Sequence, residues 1–158
     1  VGSVRVLADA YLDDLCRLDP ALATSIGLPG HDDQLPDLAP EGIDARTELA
    51  RRTLHALSCT PADDDLDRRC ADLLRDRLGA DLALADAGER LREVRWSGWV
   101  VSNVRDVFDL MPTETVDDWA DIGARLAAFP ACIESYVVSL REGMARGLHA
   151  APRQAVAC

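Results

Sequence analysis

Apolar residues recur at intervals of three and four along most of this chain, with few of the strict alternations that mark strands. Val4, Leu7, Ala8, Tyr11, Leu15 and Leu18 form a first helical stripe behind Ser3, a candidate cap. Asp19-Pro20 stops that helix and opens a short second one, which Gly27 ends. Residues 28–40 carry Pro29, Gly30, Pro36 and Pro40 among polar residues, which predicts a loop. Pro40 then starts a third helix. Its inward stripe is Ile43, Thr47, Ala50, Leu54 and Leu57, with Arg46, Glu48, Arg51 and Arg52 largely off it. Thr60-Pro61 signals a fourth start, and the acids in its first turn suit the helix dipole. Leu66, Cys70, Leu73, Leu74, Leu78 and Leu82 are expected to face inward along it, and Gly88 to break or kink it.

From Val94 to Met111 the pattern is mixed. A short strand at Trp99–Ser102 competes with an irregular turn into a helix, and the period of Val100, Val104, Val107 and Phe108 favours the helix. Thr115-Val116-Asp117-Asp118 resembles a capping box with Asp in place of Glu. Trp119, Ile122, Leu126 and Phe129 follow as an inward stripe. Pro130 predicts the start of a last helix, with Ile133, Tyr136, Val137, Leu140 and Met144 inward and Gly147 at its end. The expectation is an all-α helical bundle of six or seven helices with one Pro/Gly-rich loop. Residues 1–147 form a single helical domain, and 148–158 a linker or truncated element.

Composition fits that expectation. The chain has 158 residues, 48% of them hydrophobic but only 4% aromatic, so Leu, Ala and Val must supply the packing. The net charge is -11, and all 17 basic residues are Arg. An acidic surface repels phosphate backbones and anionic headgroups, which argues against nucleic acid and membrane surfaces as partners. The run Asp63, Asp64, Asp65 and Asp67 reads as a solvated first helical turn. Five cysteines, an odd number with no C-x-x-C pair, do not make a disulfide framework, which points to a reducing, cytoplasmic setting. No apolar run approaches the length of a membrane span, and no signal-peptide pattern is present. The first residue, Val1, is not Met, so that localisation reading covers this chain alone.

Candidate chemistry is sparse. The histidines are His31, His55 and His149; none has another four residues away, so H-E-x-x-H is absent. There is no G-x-S-x-G elbow and no phosphate-cradling glycine loop. Adjacent acids such as Asp13-Asp14 point about 100° apart on a helix and make no dyad by spacing. No catalytic and no metal-ligating residue is assigned. Four residues stand as substrate-binding candidates. His31 and Asp32 set an imidazole beside a carboxylate in the loop, an arrangement that also suits an ordinary Asx-type turn. Trp96 and Trp99 are large side chains suited either to lining a cleft or to fastening an irregular connection.

Two blocks of sequence resemble a known family. The first runs through Tyr11-Leu12, Leu18-Asp19-Pro20-Ala21-Leu22-Ala23-Thr24, Gly27, His31-Asp32-Asp33-Gln34-Leu35-Pro36-Asp37-Leu38 and Pro40-Glu41-Gly42. The second holds Asp117-Asp118-Trp119, Arg125-Leu126, Pro130, Leu140-Arg141-Glu142-Gly143-Met144-Ala145-Arg146-Gly147 and Pro152. In this order they resemble the bacterial domain-of-unknown-function family 885. Ala39, where a hydroxyl cap is expected, and the lack of an Asn-Pro step around Trp96–Asn103 depart from its pattern.

The resemblance implies a largely helical, metallopeptidase-like hydrolase whose full-length members use zinc, held by an H-E-x-x-H-like helix downstream of the part matched. It implies no cofactor in this chain, which alone is expected to be inactive. The N-terminal helices would wall a substrate cleft and brace a catalytic portion, whether on the same polypeptide or on a partner chain. That docking would require an exposed apolar patch. The alternative is a non-catalytic, free-standing helical binding or interaction module.

Overall fold

The structure, a computed structural model, describes residues 2–94 and 100–157. Among the described residues there are seven α-helices, two short 3-10 turns and no strand. The helices are α1 (Ser3–Leu18), α2 (Pro20–Ser25), α3 (Pro40–Cys59), α4 (Asp65–Asp86), α5 (Val100–Asp106), α6 (Val116–Ala145) and α7 (Pro152–Ala157). The 3-10 turns are Glu89–Leu91, after α4, and Val107–Leu110, which continues α5. The fold is therefore all-α. Trp99, where the competing strand would begin, lies outside the described residues; Val100–Ser102 is helical.

Helices α1, α3 and α4 pack on one another. Val4, Leu57 and Ala71 are buried at their centre, with Leu7, Leu54, Cys70 and Leu74 packed around them. Removing each large aliphatic side chain from water contributes about 1.5–3 kcal/mol. The start of α1 lies against the start of α4, and this shifts two sequence expectations. Ser3 is not the cap: Gly2 holds that place, and a Cβ there would fall 2.2 Å from Asp67 Oδ2. The first amides of a helix have no partner inside it. Here Ser3 N–H donates to Asp63 at 2.8 Å and Val4 N–H to Asp67 at 3.4 Å. Arg5 adds an ion pair to Asp67 at 3.0 Å.

Asp67 is thus fully buried, and the acidic run is not simply a solvated turn. Helix α4 begins at Asp65 rather than at Pro61, because the Asp64 side chain accepts the Asp67 amide at 2.8 Å. Pro61 instead accepts from the Ser3 hydroxyl. With Asp67, Ala71 and Leu78 inward, α4 is rotated from the expected stripe. Leu66 is 50% exposed and Leu73 58%.

The largest departure is α6. It is one helix of 30 residues with Pro130 inside it, not two helices meeting at Pro130. The capping box at its start is present: Thr115 Oγ1 accepts from Asp118 N–H, and Asp118 accepts from Thr115 N–H. Proline deprives the Leu126 carbonyl of its helical donor. Both Leu126 and Pro130 are exposed, so water reaches that carbonyl. Ala127, Ala128 and Ala131 favour continuation on either side.

The buried residues of α6 are Arg125, Cys132, Tyr136, Ser139 and Gly143. This inward face is polar or small because it grips a loop. Residues 28–39 form no helix, and their backbone carbonyls need donors where they are covered. Arg125 donates to the carbonyls of His31 at 2.7 Å and Gln34 at 2.9 Å. Cys132 donates to Pro36 O, and Ser139 to Leu38 O at 2.6 Å. Ser135 Oγ accepts the Leu38 amide at 3.0 Å. Gly143 completes the packing, since a Cβ there would lie 2.1 Å from Leu91 O.

Of the apolar stripe expected to face inward, Tyr136 is buried, Ile122, Phe129, Ile133, Val137 and Leu140 are half-buried, and only Trp119, Leu126 and Met144 turn outward. Trp119 is 59% exposed, Leu126 55% and Met144 62%. Between Ile122 and Ile133 the only charged residue is Arg125, which is buried. Three turns of a long helix thus present an uncharged surface. The outward face of α4, by contrast, carries Arg68, Asp72, Arg75 and Asp76.

Candidate functional site

A cavity of about 600 Å³ lies among α1–α6 and the turn after α4. That falls within the roughly 300–1,000 Å³ typical of small-molecule sites. Its walls are mostly aliphatic, with Leu15, Leu22, Ile43, Leu82, Val104 and Val107 among them. Tyr11, Asp19, Arg46, Asp81, Arg90, Glu93 and Tyr136 add polar groups.

Each polar group is placed by its element. Asp19 ends α1 and caps α2, accepting the Leu22 amide at 3.1 Å. Arg90 sits on the 3-10 turn that starts after Gly88, whose φ of 69° is the left-handed conformation that ends α4. It pairs with Asp81 at 3.5 Å and Glu93 at 3.4 Å, bridging α4 to the segment beyond. Tyr136, from α6, donates to Glu93 O at 2.5 Å. Burial, reinforced by the Asp81 charge, raises the Tyr11 pKa, so its phenol is neutral at ordinary pH.

Arg46 is the group the sequence reading set aside. It is half-buried rather than on an outer face. Its Nη1 donates to Asp37 O at 2.8 Å and to Leu18 O at 3.4 Å, which fixes the guanidinium at the cavity wall. Burial lowers its pKa; the charges of Asp19 and Asp37 oppose that, and Arg90 adds to it. The signal was available, because Arg46 shares a helical face with buried Gly42, Leu49, Ala50 and Thr53.

The four sequence candidates fall in two places. His31 and Asp32 lie in the loop that Arg125 pins. Asp32 accepts from Thr24 Oγ1 at 2.7 Å, and Arg125 Nη2 donates to that hydroxyl at 2.9 Å. Asp32 is also 3.9 Å from the guanidinium. Neither residue lines the cavity. Trp96 and Trp99 lie outside the described residues; Glu93 and Val100, on either side of that segment, both line the cavity.

Cys132 touches the same loop, and burial pushes its thiol up to about 11, so it is no nucleophile at neutral pH. Among the described residues no three His, Cys, Asp or Glu side chains are grouped to hold a metal ion, so these residues do not fit a zinc centre. No helix among them is long and apolar enough to cross a membrane.

The molecule is thus an all-α protein with a sizeable mixed-polarity cavity and a long helix that leaves Trp119, Leu126 and Met144 uncovered. Comparison with known families adds a name for the class. The family described as "Bacterial protein of unknown function (DUF885)" matches residues 20–158, and the chain belongs to it. No curated protein matches the chain.

Proposed function

We propose that this chain is the N-terminal helical, cleft-walling portion of a zinc-dependent, peptidase-like hydrolase whose metal motif lies beyond it. The observation that carries this reading is the set of three exposed apolar side chains on α6. Trp119, Leu126 and Met144 are all more than half exposed, and no charge interrupts the surface from Ile122 to Ile133. A helix that is apolar on its outer face is one that other protein covers. The occupant is the catalytic portion of the same enzyme, and the cavity is its substrate cleft. The peptidase chemistry itself comes from the family resemblance and not from a residue of this chain.

The test compares hydrogen exchange and solvent labelling of residues 119–144 in the 158-residue chain and in the longer gene product. Exchange in α6 should slow at least tenfold in the longer protein, and Trp119 fluorescence should shift to the blue. Equal exposure of α6 in both would defeat the reading and favour a free-standing binding module.

A further inference from the structure

We propose that Arg46 is a carboxylate-binding subsite of the cavity, taking the free carboxylate of a ligand whose apolar body lies along Leu15, Ile43 and Leu82. This rests on the reading of the cavity as a substrate cleft. The first observation is an unused fork. Arg46 spends Nη1 on two backbone carbonyls, while among the described residues Nε and Nη2 donate to nothing. The second is the absence of a contact ion pair. The other described arginines that are not exposed, Arg5, Arg92 and Arg125, each have a carboxylate within ion-pair distance. Arg46 has none.

The neighbouring acids each have another partner, Asp37 accepting the Ala39 amide at 2.9 Å. Asp81 and Glu93 are paired with Arg90, and Asp19 caps α2. A half-buried guanidinium with two free N–H groups and no carboxylate in direct contact favours an anion that can accept two parallel N–H bonds. A carboxylate fits better than a phosphate. It carries one charge, and Asp19, Asp81, Glu93 and Asp106 around the same cavity oppose a dianion. The aliphatic walls ask for an apolar body. The free C-terminus of a short apolar peptide has both parts.

The probes are N-acetyl-leucyl-phenylalanine and its C-terminal amide, titrated calorimetrically into the 158-residue chain. The acid should bind at least tenfold more tightly than the amide. Arg46→Gln should remove that preference, and Leu82→Trp, which fills the cavity, should weaken both probes. Each variant is first shown to melt cooperatively. If Arg46→Gln does not fold, Arg46→Lys, which keeps the charge but not the fork, must cut the preference at least threefold.

Equal binding of acid and amide, or a preference that survives both Arg46 substitutions, overturns the subsite. So does tighter binding of phenyl phosphate than of the acid. If the amide binds and responds to Leu82→Trp without any acid preference, the subsite is lost and the cleft stands. If neither probe binds, the subsite is lost, and the cleft reading is judged by hydrolysis in the longer protein.

Discussion

Replacing Arg125 with Met tests whether the His31–Asp32 loop is a braced structural segment. Arg125 is fully buried, and Met retains much of its volume without the guanidinium. The substitution removes charge-assisted bonds to His31 O, Gln34 O and Thr24 Oγ1. At about 1.5–3 kcal/mol each, they sum to roughly 4–9 kcal/mol. Against this, the variant escapes the cost of burying a cation, several kcal/mol. The loop carbonyls lie near the surface and can take up water, so the net loss should be about 3 kcal/mol. For a chain of this size that lowers the melting temperature by about 6–12 °C. The assay is thermal denaturation together with amide exchange over residues 28–38. Faster exchange in the loop than in α1, α3 and α4 is the expected signature. A loss under about 1 kcal/mol with unchanged loop protection would refute the bracing role and return His31 and Asp32 to the pool of binding residues.

Three further outcomes follow from the same geometry. Gly143→Ala forces a methyl against Leu91 O and should cost about 1–3 kcal/mol in denaturant unfolding, whereas Gly123→Ala, with open space around it, should not destabilise. Iodoacetamide at pH 8 should label exposed Cys59 and spare Cys132 in the native protein. With its pKa near 11, Cys132 is thiolate in about one molecule per thousand at that pH, against about a quarter for an ordinary thiol. Hydrogen bonds from the Asp67 and Thr115 amides hold Asp64 and Asp118 below the usual carboxylate value. Their contribution to stability is therefore full above about pH 4–5 and lost as pH falls through the lowered values. Asp118→Ala should flatten the fall in urea midpoint between pH 5 and 2.5.

The helical class was legible because period and punctuation agree: Asp19-Pro20, Ala39-Pro40 and the Thr115 box all stand at helix starts. What was not legible is which face of a helix points inward. Hydrophobic periodicity places Trp119, Leu126 and Met144 toward the core, as it does when a helix packs on helices, yet all three are exposed. This helix packs on a loop, whose carbonyls demand donors, so Arg125, Cys132 and Ser139 face in and Leu126 faces out. Pro130 misled for a related reason, since a start signal is also tolerated in the interior where the freed carbonyl meets water. Asp67 is inward because the start of α1 needs acceptors sixty residues away, which no local pattern encodes. The cavity escaped notice because its groups come from six helices and a turn. Arg46 is the exception, since the buried face defined by Gly42, Leu49 and Thr53 passes through it.

The central claim is that this chain shapes and braces a hydrolase cleft without performing the chemistry. The decisive measurement is cleavage of a pool of short peptides and amides, with and without zinc, by the longer gene product and by the 158-residue chain in parallel. Zinc-dependent cleavage by the longer protein alone, with KM raised by Leu82→Trp, is the result the account requires. Cleavage by the 158-residue chain itself, abolished by changing one of its own side chains, would contradict it.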